Sequence, residues 1–410
     1  MTRLQLRRTT TGLTTSTTAR TGTPPQTIDT VLVKTASRCN LNCTYCYVYN
    51  LGDDGWKSQP RRMSSEVLEA IIEQVGELSH RQNQAISVVL HGGEPLLLGF
   101  EGIQRLVEGL KDSLRQDAGL HIQTNAVLLS DPFIDLFASN DVGISISLDG
   151  TAEVHDLNRV DRHGRGSYER VVAAIARLLA HPSGSSLLTG LLAVVDPRSN
   201  PVDVYESLKA TGAPSFDFLY RDGNYANLPF GKTRPESIEF GNWMIGLLEH
   251  YLADPTPPRI RVIDDIIRLI LGGSGQKEGI GLNEYGIIVI DTDGKITRND
   301  TLKGAYSGGD RFVSEPSIVG GRLQEYLSST EFVEYFDLQI PTSPICQSCP
   351  ELGVCGGGMP AHRWSDEHGY ANPTVFCADQ KLLISAVRSR LSAAINISSP
   401  HEVLDRAVLA

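Results

Sequence analysis

The sequence CNLNCTYC occupies residues 39–46 and spaces three cysteines as C-x3-C-x2-C. These are Cys39, Cys43 and Cys46, and an apolar, strand-like segment precedes them. Three thiolates on one tight loop can hold three irons of a cubic [4Fe-4S] cluster and leave the fourth iron without a protein ligand. Because an iron with an open site can bind a further ligand, the loop predicts a cluster that does chemistry as well as carrying electrons.

Around this loop, short β-rich runs alternate with helix-periodic segments from residue 29 to about residue 220. In the segment 64–78 the apolar residues recur on one helix face, and Ser64 is a suitable N-cap. Six strand–helix units predict an α/β fold with a parallel sheet, whose functional loops lie at the carboxyl ends of the strands. Six units fall short of a closed eight-fold barrel, so we expect an open, partial (β/α)6 barrel of the TIM type. The predicted strands are 30–35, 86–91, 120–124, 143–148, 187–195 and 216–220.

Composition narrows the class of protein. The chain has 410 residues and a formal net charge of -11. The acidic balance argues against a nucleic-acid-binding surface, because phosphate binding needs clustered Lys and Arg. No apolar run of about 18 residues and no signal-peptide core occurs, so we expect a cytoplasmic protein that does not enter the membrane.

The seven cysteines divide into the three of the loop and four near the C-terminus, Cys346, Cys349, Cys355 and Cys377. A disulfide framework would leave one thiol over, and cytoplasmic thiols stay reduced. Metal binding therefore accounts for all seven. On spacing alone, the C-terminal four fit a structural zinc site as well as an iron–sulfur cluster.

Polar residues follow the other predicted strands. The second strand ends in His91-Gly92-Gly93-Glu94-Pro95, where glycines permit close backbone approach and the carboxylate can pair with an ammonium group. A simple turn is the alternative. The fourth strand carries Ser147 where a packed barrel favours Val or Ile, and Arg159 lies downstream. A capping serine and a surface arginine would be the plainer interpretation of this pair.

Together, the cysteine loop and the glycine-rich segment resemble the radical SAM superfamily. In that superfamily the open iron is chelated by the amino and carboxylate groups of S-adenosylmethionine, and an aromatic residue precedes the third cysteine. The resemblance implies that Glu94 and its neighbours receive the methionine amino group and that Ser147 and Arg159 hold the nucleoside and carboxylate. The expected cofactor-binding residues are Tyr45, His91, Gly92, Gly93, Glu94, Pro95, Thr124, Asn125, Ser147 and Arg159.

The C-terminal cysteines resemble the SPASM extension, which has a C-x2-C-x5-C-x3-C run and a distant last cysteine. By this resemblance Cys346, Cys349, Cys355 and Cys377 ligate an auxiliary [4Fe-4S] cluster. Met359 and Asn299 stand where the family has cysteine ligands of another auxiliary cluster, so we expect two clusters in total. Asp300 occupies the place of an aspartate that is proposed to take a substrate proton in sulfatase-maturating SPASM enzymes; a turn aspartate is the alternative.

Residues 29–385 resemble the SPASM maturases of ribosomally made peptides, and the stretches 291–303, 355–364 and 372–379 look most like the cyclophane-forming group. That implies reductive cleavage of S-adenosylmethionine to a 5'-deoxyadenosyl radical, and a bond between an aromatic ring carbon and a β-carbon of a precursor peptide. Formylglycine formation, thioether formation, epimerisation and a peptide-binding scaffold with structural metals are the alternatives.

The expected partners are the precursor peptide and an electron donor of the flavodoxin or ferredoxin type. No winged-helix leader-binding domain is recognisable, so leader recognition falls to the core or to a separate protein. The expected organisation is a disordered tail (1–27), the barrel (28–232), a helical bridging region (233–281), a SPASM-like domain (282–380) and a C-terminal helix with a tail (381–410).

Overall fold

The computed structural model describes residues 27–282 and 286–397, so the expected tails lie almost wholly outside the described residues. The strands are β1 (Thr30–Ala36), β2 (Ser87–Gly92), β3 (Gly119–Thr124), β4 (Gly143–Ser147), β5 (Leu188–Val194), β6 (Ser215–Leu219), β7 (Arg259–Ile260), β8 (Ile287–Ile290) and β9 (Ile296–Thr297). The α-helices are α1 (Ser65–Arg81), α2 (Phe100–Ser113), α3 (Asp131–Ser139), α4 (Ala152–Asn158), α5 (Tyr168–Ala180), α6 (Gly184–Leu187), α7 (Pro201–Ala210), α8 (Glu239–Ala253), α9 (Arg261–Ile270), α10 (Leu323–Tyr326), α11 (Thr330–Asp337), α12 (Pro344–Gln347), α13 (Leu352–Cys355) and α14 (Cys377–Ile397). Short 3-10 helices cover Gly55–Lys57, Pro95–Leu98, Asp300–Gly304 and Pro360–Arg363.

The strands form one sheet in the order β7-β6-β5-β4-β3-β2-β1-β8-β9. Strands β1 to β7 pair in parallel with their neighbours, and a helical segment covers each crossover from β1 to β6. The six predicted strands are present at nearly their expected limits. The α/β class and the open, partial barrel are therefore confirmed.

The first crossover shows why the chain folds this way. In β1 the side chains of Val31 and Val33 are fully buried, and α1 buries the apolar face that its spacing predicted. The Ser64 hydroxyl accepts the backbone N–H of Val67 at 3.3 Å, so Ser64 is the N-cap. The helix therefore starts where the capping residue predicts.

The bridging region differs from expectation at one point. The region 233–281 was expected to be helical, yet Arg259 and Ile260 form β7 against β6 before α9 begins. Ile260 is fully buried, and the edge of β6 offers unpaired backbone groups that the short strand satisfies. The local spacing of apolar residues cannot reveal that a strand edge lies nearby in space.

Strands β8 and β9 form an antiparallel hairpin, which also extends the main sheet. Strand β8 pairs in parallel with β1, and all four of its residues are buried. The strand that leads into the cysteine loop is thus flanked on both sides. This pairing brings the residues after β9, including Asp300, next to the barrel.

A buried ion pair ties the segment before α8 to α14. The Lys232 ammonium lies 2.6 Å from Asp379 Oδ2, and both side chains are fully buried. The other carboxylate oxygen of Asp379 accepts the Gly241 backbone N–H at 2.7 Å. Among the described residues, no helix is long and apolar enough to span a bilayer.

Candidate active site

A cavity of about 440 Å³ lies at the carboxyl ends of β1 to β6, between the cysteine loop and the C-terminal extension. Most of the residues predicted to bind cofactor or metal at the barrel meet there. Glu94, Pro95 and Asp300 do not line the cavity, although Gly93 next to Glu94 and Thr301 next to Asp300 do. The predicted residues in its wall are Cys39, Cys43, Tyr45, Cys46, His91, Gly92, Gly93, Thr124, Asn125, Ser147 and Arg159.

Backbone hydrogen bonds fix the cysteine loop. The N–H groups of Asn42 and Thr44 donate to carbonyls of the segment after β4, at 2.7 and 3.0 Å, and Cys46 N–H donates to Cys43 O at 3.0 Å. Burial raises the pKa of Cys46 to about 11. Since the thiolate is the metal ligand, loading this loop with metal must release protons.

The two glycines of the segment 91–95 allow close packing against the end of β1 and the residues around the cysteine loop. A Cβ on Gly93 would lie 1.9 Å from the Tyr49 hydroxyl and 2.4 Å from the Arg38 carbonyl oxygen. Gly92 has φ +143°, and its added Cβ would meet the Ala36 carbonyl oxygen at 2.4 Å. Only glycine lets the end of β2 approach the loop this closely.

Glu94 anchors the wall from behind. Its carboxylate accepts the Thr124 hydroxyl at 2.7 Å and the backbone N–H groups of Asn125 and Leu96 at 2.9 and 3.2 Å. Burial raises its pKa to about 7, although these hydrogen bonds lower it. Among the described residues it has no cationic partner, so a buried carboxylate without a counter-ion stands next to the cavity wall.

Glu94 should make the stability of the cofactor-free protein depend on pH. Its folded-state pKa lies above the ordinary 4.5, so the unfolded state loses its proton first and stability falls as pH rises from about 4.5 to 7. The slope reaches about 1.4 kcal/mol per pH unit. In Glu94→Gln the amide faces hydrogen-bond donors, which changes the free energy of unfolding by an amount that does not depend on pH. The substitution also removes the pH dependence that Glu94 causes.

Urea unfolding at pH 5, 6, 7 and 8 measures the effect, with the exposed Glu101→Gln as the matched control. The stability of Glu94→Gln relative to wild type should rise across this range, and that of Glu101→Gln should stay level. Parallel curves for wild type and Glu94→Gln would contradict the account.

On the opposite side, a buried acid that sequence reasoning missed organises the wall. Asp149 accepts the Tyr45 hydroxyl at 2.5 Å and Arg159 Nε at 3.0 Å. The Arg159 guanidinium lies 5.5 Å from the centre of the Tyr45 ring. Ser147 accepts from Gln123 at 2.9 Å. Asp149 lies two residues after the last residue of β4. Its position at the end of a strand was the sequence signal that could have identified it.

Asp300 is placed differently from what its expected role as a base requires. It is 1% exposed, and its Oδ1 lies 2.7 Å from Lys34 Nζ and 3.7 Å from Lys303 Nζ. Burial raises its pKa, but the charges of the two lysines outweigh burial and lower it to about 2. The cavity is lined by Tyr47, whose hydroxyl donates to Asp300 Oδ2 at 3.3 Å. This geometry favours a structural role for Asp300 in a buried charge cluster.

The four C-terminal cysteines meet at a second, small pocket, which Thr374 and Lys381 also line. Burial raises the pKa of Cys355 to about 12. Among residues 27–282 and 286–397, no three His, Cys, Asp or Glu side chains are grouped to hold a single metal ion.

Arg363 shapes the turn that carries this pocket. Its side chain is 1% exposed and donates to the carbonyl oxygens of Gly357, Gly358, Leu338 and Gln339 at 2.5 to 3.2 Å. The glycines following Cys355 have φ of +67°, +80° and +70°, a conformation that other residues rarely adopt. The arginine therefore satisfies carbonyls that the turn leaves without partners.

Sequence reasoning also missed three ionisable groups in the wall of the cavity. Asp222 follows β6, Glu278 precedes β8, and His362 belongs to the 3-10 helix Pro360–Arg363. They come from segments far apart in the chain, and only His362 stood in a stretch that the sequence singled out.

Comparison with known proteins agrees with this geometry. Residues 33–209 match the Radical SAM superfamily. A cysteine-type anaerobic sulfatase-maturating enzyme of Clostridium novyi is 24% identical over 375 residues, which cover 88% of this chain and 96% of that protein. The structure of native anSMEcpe with bound AdoMet has a TM-score of 0.75 and 23% identity, covering 90% of this chain and 100% of that chain. Streptococcus suis SuiB bound to the precursor peptide SuiA has a TM-score of 0.56 and 13% identity, covering 82% and 73%.

Residues 33–209 therefore form a radical SAM domain, and the chain is an enzyme. Its cofactors are S-adenosylmethionine and [4Fe-4S] clusters. The residues present fit these cofactors. The three thiols of the loop share a cavity with Arg159 and with the wall that Glu94 anchors. His91 also lines this cavity, and its buried Nδ1 has no hydrogen-bond partner in the described chain.

Proposed function

We propose that this enzyme oxidises a peptide substrate and joins two of its side chains, an aromatic ring carbon to the β-carbon of a nearby residue. The observation that carries the proposal is the shared cavity. One space of about 440 Å³ is bounded by the cysteine loop on one side and by residues of the C-terminal extension on the other. Apolar side chains between them, such as Phe218, Met244 and Ile266, suit an aromatic side chain.

In this proposal the loop cysteines hold the cluster that binds S-adenosylmethionine, and the four C-terminal cysteines hold the auxiliary cluster. When bound, these groups supply the electron that cleaves S-adenosylmethionine to a 5'-deoxyadenosyl radical and the acceptor for the electron that the substrate loses. The protein's own contribution is placement: the carboxylate of Glu94, behind the cavity wall, would attract the methionine ammonium, and Arg159, held by Asp149, would pair with its carboxylate.

Met359 is the feature that favours crosslinking over other outcomes. It lines the cavity at the position where the SPASM pattern has a cysteine, and it lies next to Gly279. The flexible, apolar side chain of Met359 therefore lines the space beside it and can adapt to the shape of a bound group. We propose that this space receives the ring of the substrate.

Formylglycine formation is the second candidate. It is favoured by the sulfatase-maturating relatives, which are similar over most of this chain. The structure of anSMEcpe with AdoMet and the Kp18Cys peptide also places a peptide beside a related fold.

Mass spectrometry separates the two reactions. The reduced, cluster-loaded enzyme is incubated with S-adenosylmethionine and either the short peptide encoded beside its gene or the Kp18Cys peptide. We expect the first peptide to lose two hydrogens and to yield a crosslinked fragment on sequencing. Formylglycine in the Kp18Cys peptide, with no change in the first, would replace the crosslinking proposal by the second candidate. An electron donor of the flavodoxin type and a separate leader-binding protein remain part of the proposal, to be added to the same assay.

A further inference from the structure

Three ionisable side chains meet in the wall of the cavity, and none has a role in the chemistry described so far. Asp222, Glu278 and His362 all line the cavity. His362 Nε2 lies 3.4 Å from Asp222 Oδ1, and the side chain of His362 is 6% exposed. The cavity thus contains a histidine paired with a carboxylate, the arrangement in which an acid orients an imidazole.

The surroundings of His362 hold its ring in place. The ring stands edge-on to Phe376, with 5.1 Å between the ring centres. Its backbone N–H donates to Met359 O at 3.1 Å, and its carbonyl accepts from Val375 N–H at 2.8 Å. When Nε2–H donates to Asp222, Nδ1 carries the lone pair and can accept a proton.

The reaction needs such an acceptor, and Asp300 is poorly suited to the task. Asp300 is bonded to Lys34 and lies outside the cavity wall, as described above. Glu278 is engaged by the Asn299 amide at 2.5 Å. His362 combines an orienting carboxylate with a second ring nitrogen that can accept a proton.

We propose that His362 is the base that takes the substrate proton and that Asp222 is its positioning residue; this rests on the crosslinking function proposed above. One hydrogen atom first passes from the β-carbon to the 5'-deoxyadenosyl radical, which becomes 5'-deoxyadenosine. The carbon radical bonds to the ring carbon, and the ring C–H bond then breaks. Its proton goes to Nδ1 of His362, and one electron goes to a one-electron oxidant of the iron–sulfur class. The product has lost two hydrogens in total, so atoms and electrons balance.

The test compares His362→Ala with the exposed His163→Ala in the cluster-loaded enzyme with the precursor peptide encoded beside the gene. Crosslinked product per 5'-deoxyadenosine should fall about 100-fold in His362→Ala, in the range of general base catalysis, and stay unchanged in His163→Ala. Added imidazole should restore part of the product in His362→Ala only. Asp222→Asn should lower the same ratio less and should not respond to imidazole.

A second readout is independent of turnover. Peptide affinity, measured by fluorescence anisotropy without reductant, should be unchanged in His362→Ala, because a base contributes to the transition state and not to binding. A normal ratio of crosslinked product to 5'-deoxyadenosine in His362→Ala would overturn the assignment. A ratio that falls in Glu278→Gln alone would do the same. A ratio that falls but does not respond to imidazole, with weakened binding, would show a structural role instead. Failure of the proposed function looks different, since wild type itself would then give no crosslink.

Discussion

Cys43→Ala should reduce the formation of 5'-deoxyadenosine to background while leaving iron at the C-terminal cysteines. A [4Fe-4S] cluster with an open iron needs three thiolates from the protein, and Cys43 stands in the cavity wall beside Arg159. With two thiolates left, the cluster that binds S-adenosylmethionine is lost. The measurement is 5'-deoxyadenosine by liquid chromatography, together with the iron content of the protein.

Cys349→Ala is the matched control, because it removes one thiol from the separate C-terminal pocket. It should retain cleavage of S-adenosylmethionine and lose the crosslinked product. Normal 5'-deoxyadenosine formation by Cys43→Ala, or equal loss of cleavage in both variants, would refute the assignment of the two cysteine groups.

Lys34→Met should destabilise the protein more than any surface substitution. Lys34 is 4% exposed and lies 2.7 Å from Asp300 Oδ1 and 3.6 Å from Asp291 Oδ1. Removing one partner of a buried pair leaves an uncompensated buried charge, at a cost of about 3–5 kcal/mol. Methionine keeps most of the volume, so the loss reports charge rather than packing. Urea unfolding of the cofactor-free protein measures it.

The control is Lys295→Met, whose partner Glu315 is well exposed, and the expected loss there is about 0–1 kcal/mol. The pH dependence has a defined sign. In wild type the pKa of Asp300 is lowered to about 2, so its pairing stabilises above its ordinary pKa and is lost as pH falls toward 2. The deficit of Lys34→Met should therefore stay level from pH 7 to about 4 and shrink as the pH falls further toward 2. A deficit equal to that of Lys295→Met, or one that does not change with pH, would contradict this account.

Much of the barrel side of the site follows from sequence because its residues stand at strand ends. Cys39, Gly93, Asn125 and Ser147 each follow or end a strand of one parallel sheet, and the carboxyl ends of such strands meet at one edge. Strand order and the cysteine loop therefore predict which side chains share the cavity. The roles of Glu94 and the glycines were less accessible, because their partners, Thr124 and the cysteine-loop backbone, come from other strands.

What the sequence determined by itself is the α/β fold, the open barrel and the grouping of cysteines into a loop and a C-terminal set, because periodicity and local spacing are properties of neighbouring residues. What only the tertiary structure decided is the charge environment. The pairing of β8 with β1 brings Asp300 to Lys34, and the meeting of three distant segments brings His362 to Asp222. Coulomb interactions and desolvation depend on distances in space, so the same aspartate can be a base or a buried counter-ion, and its neighbours in the fold determine which.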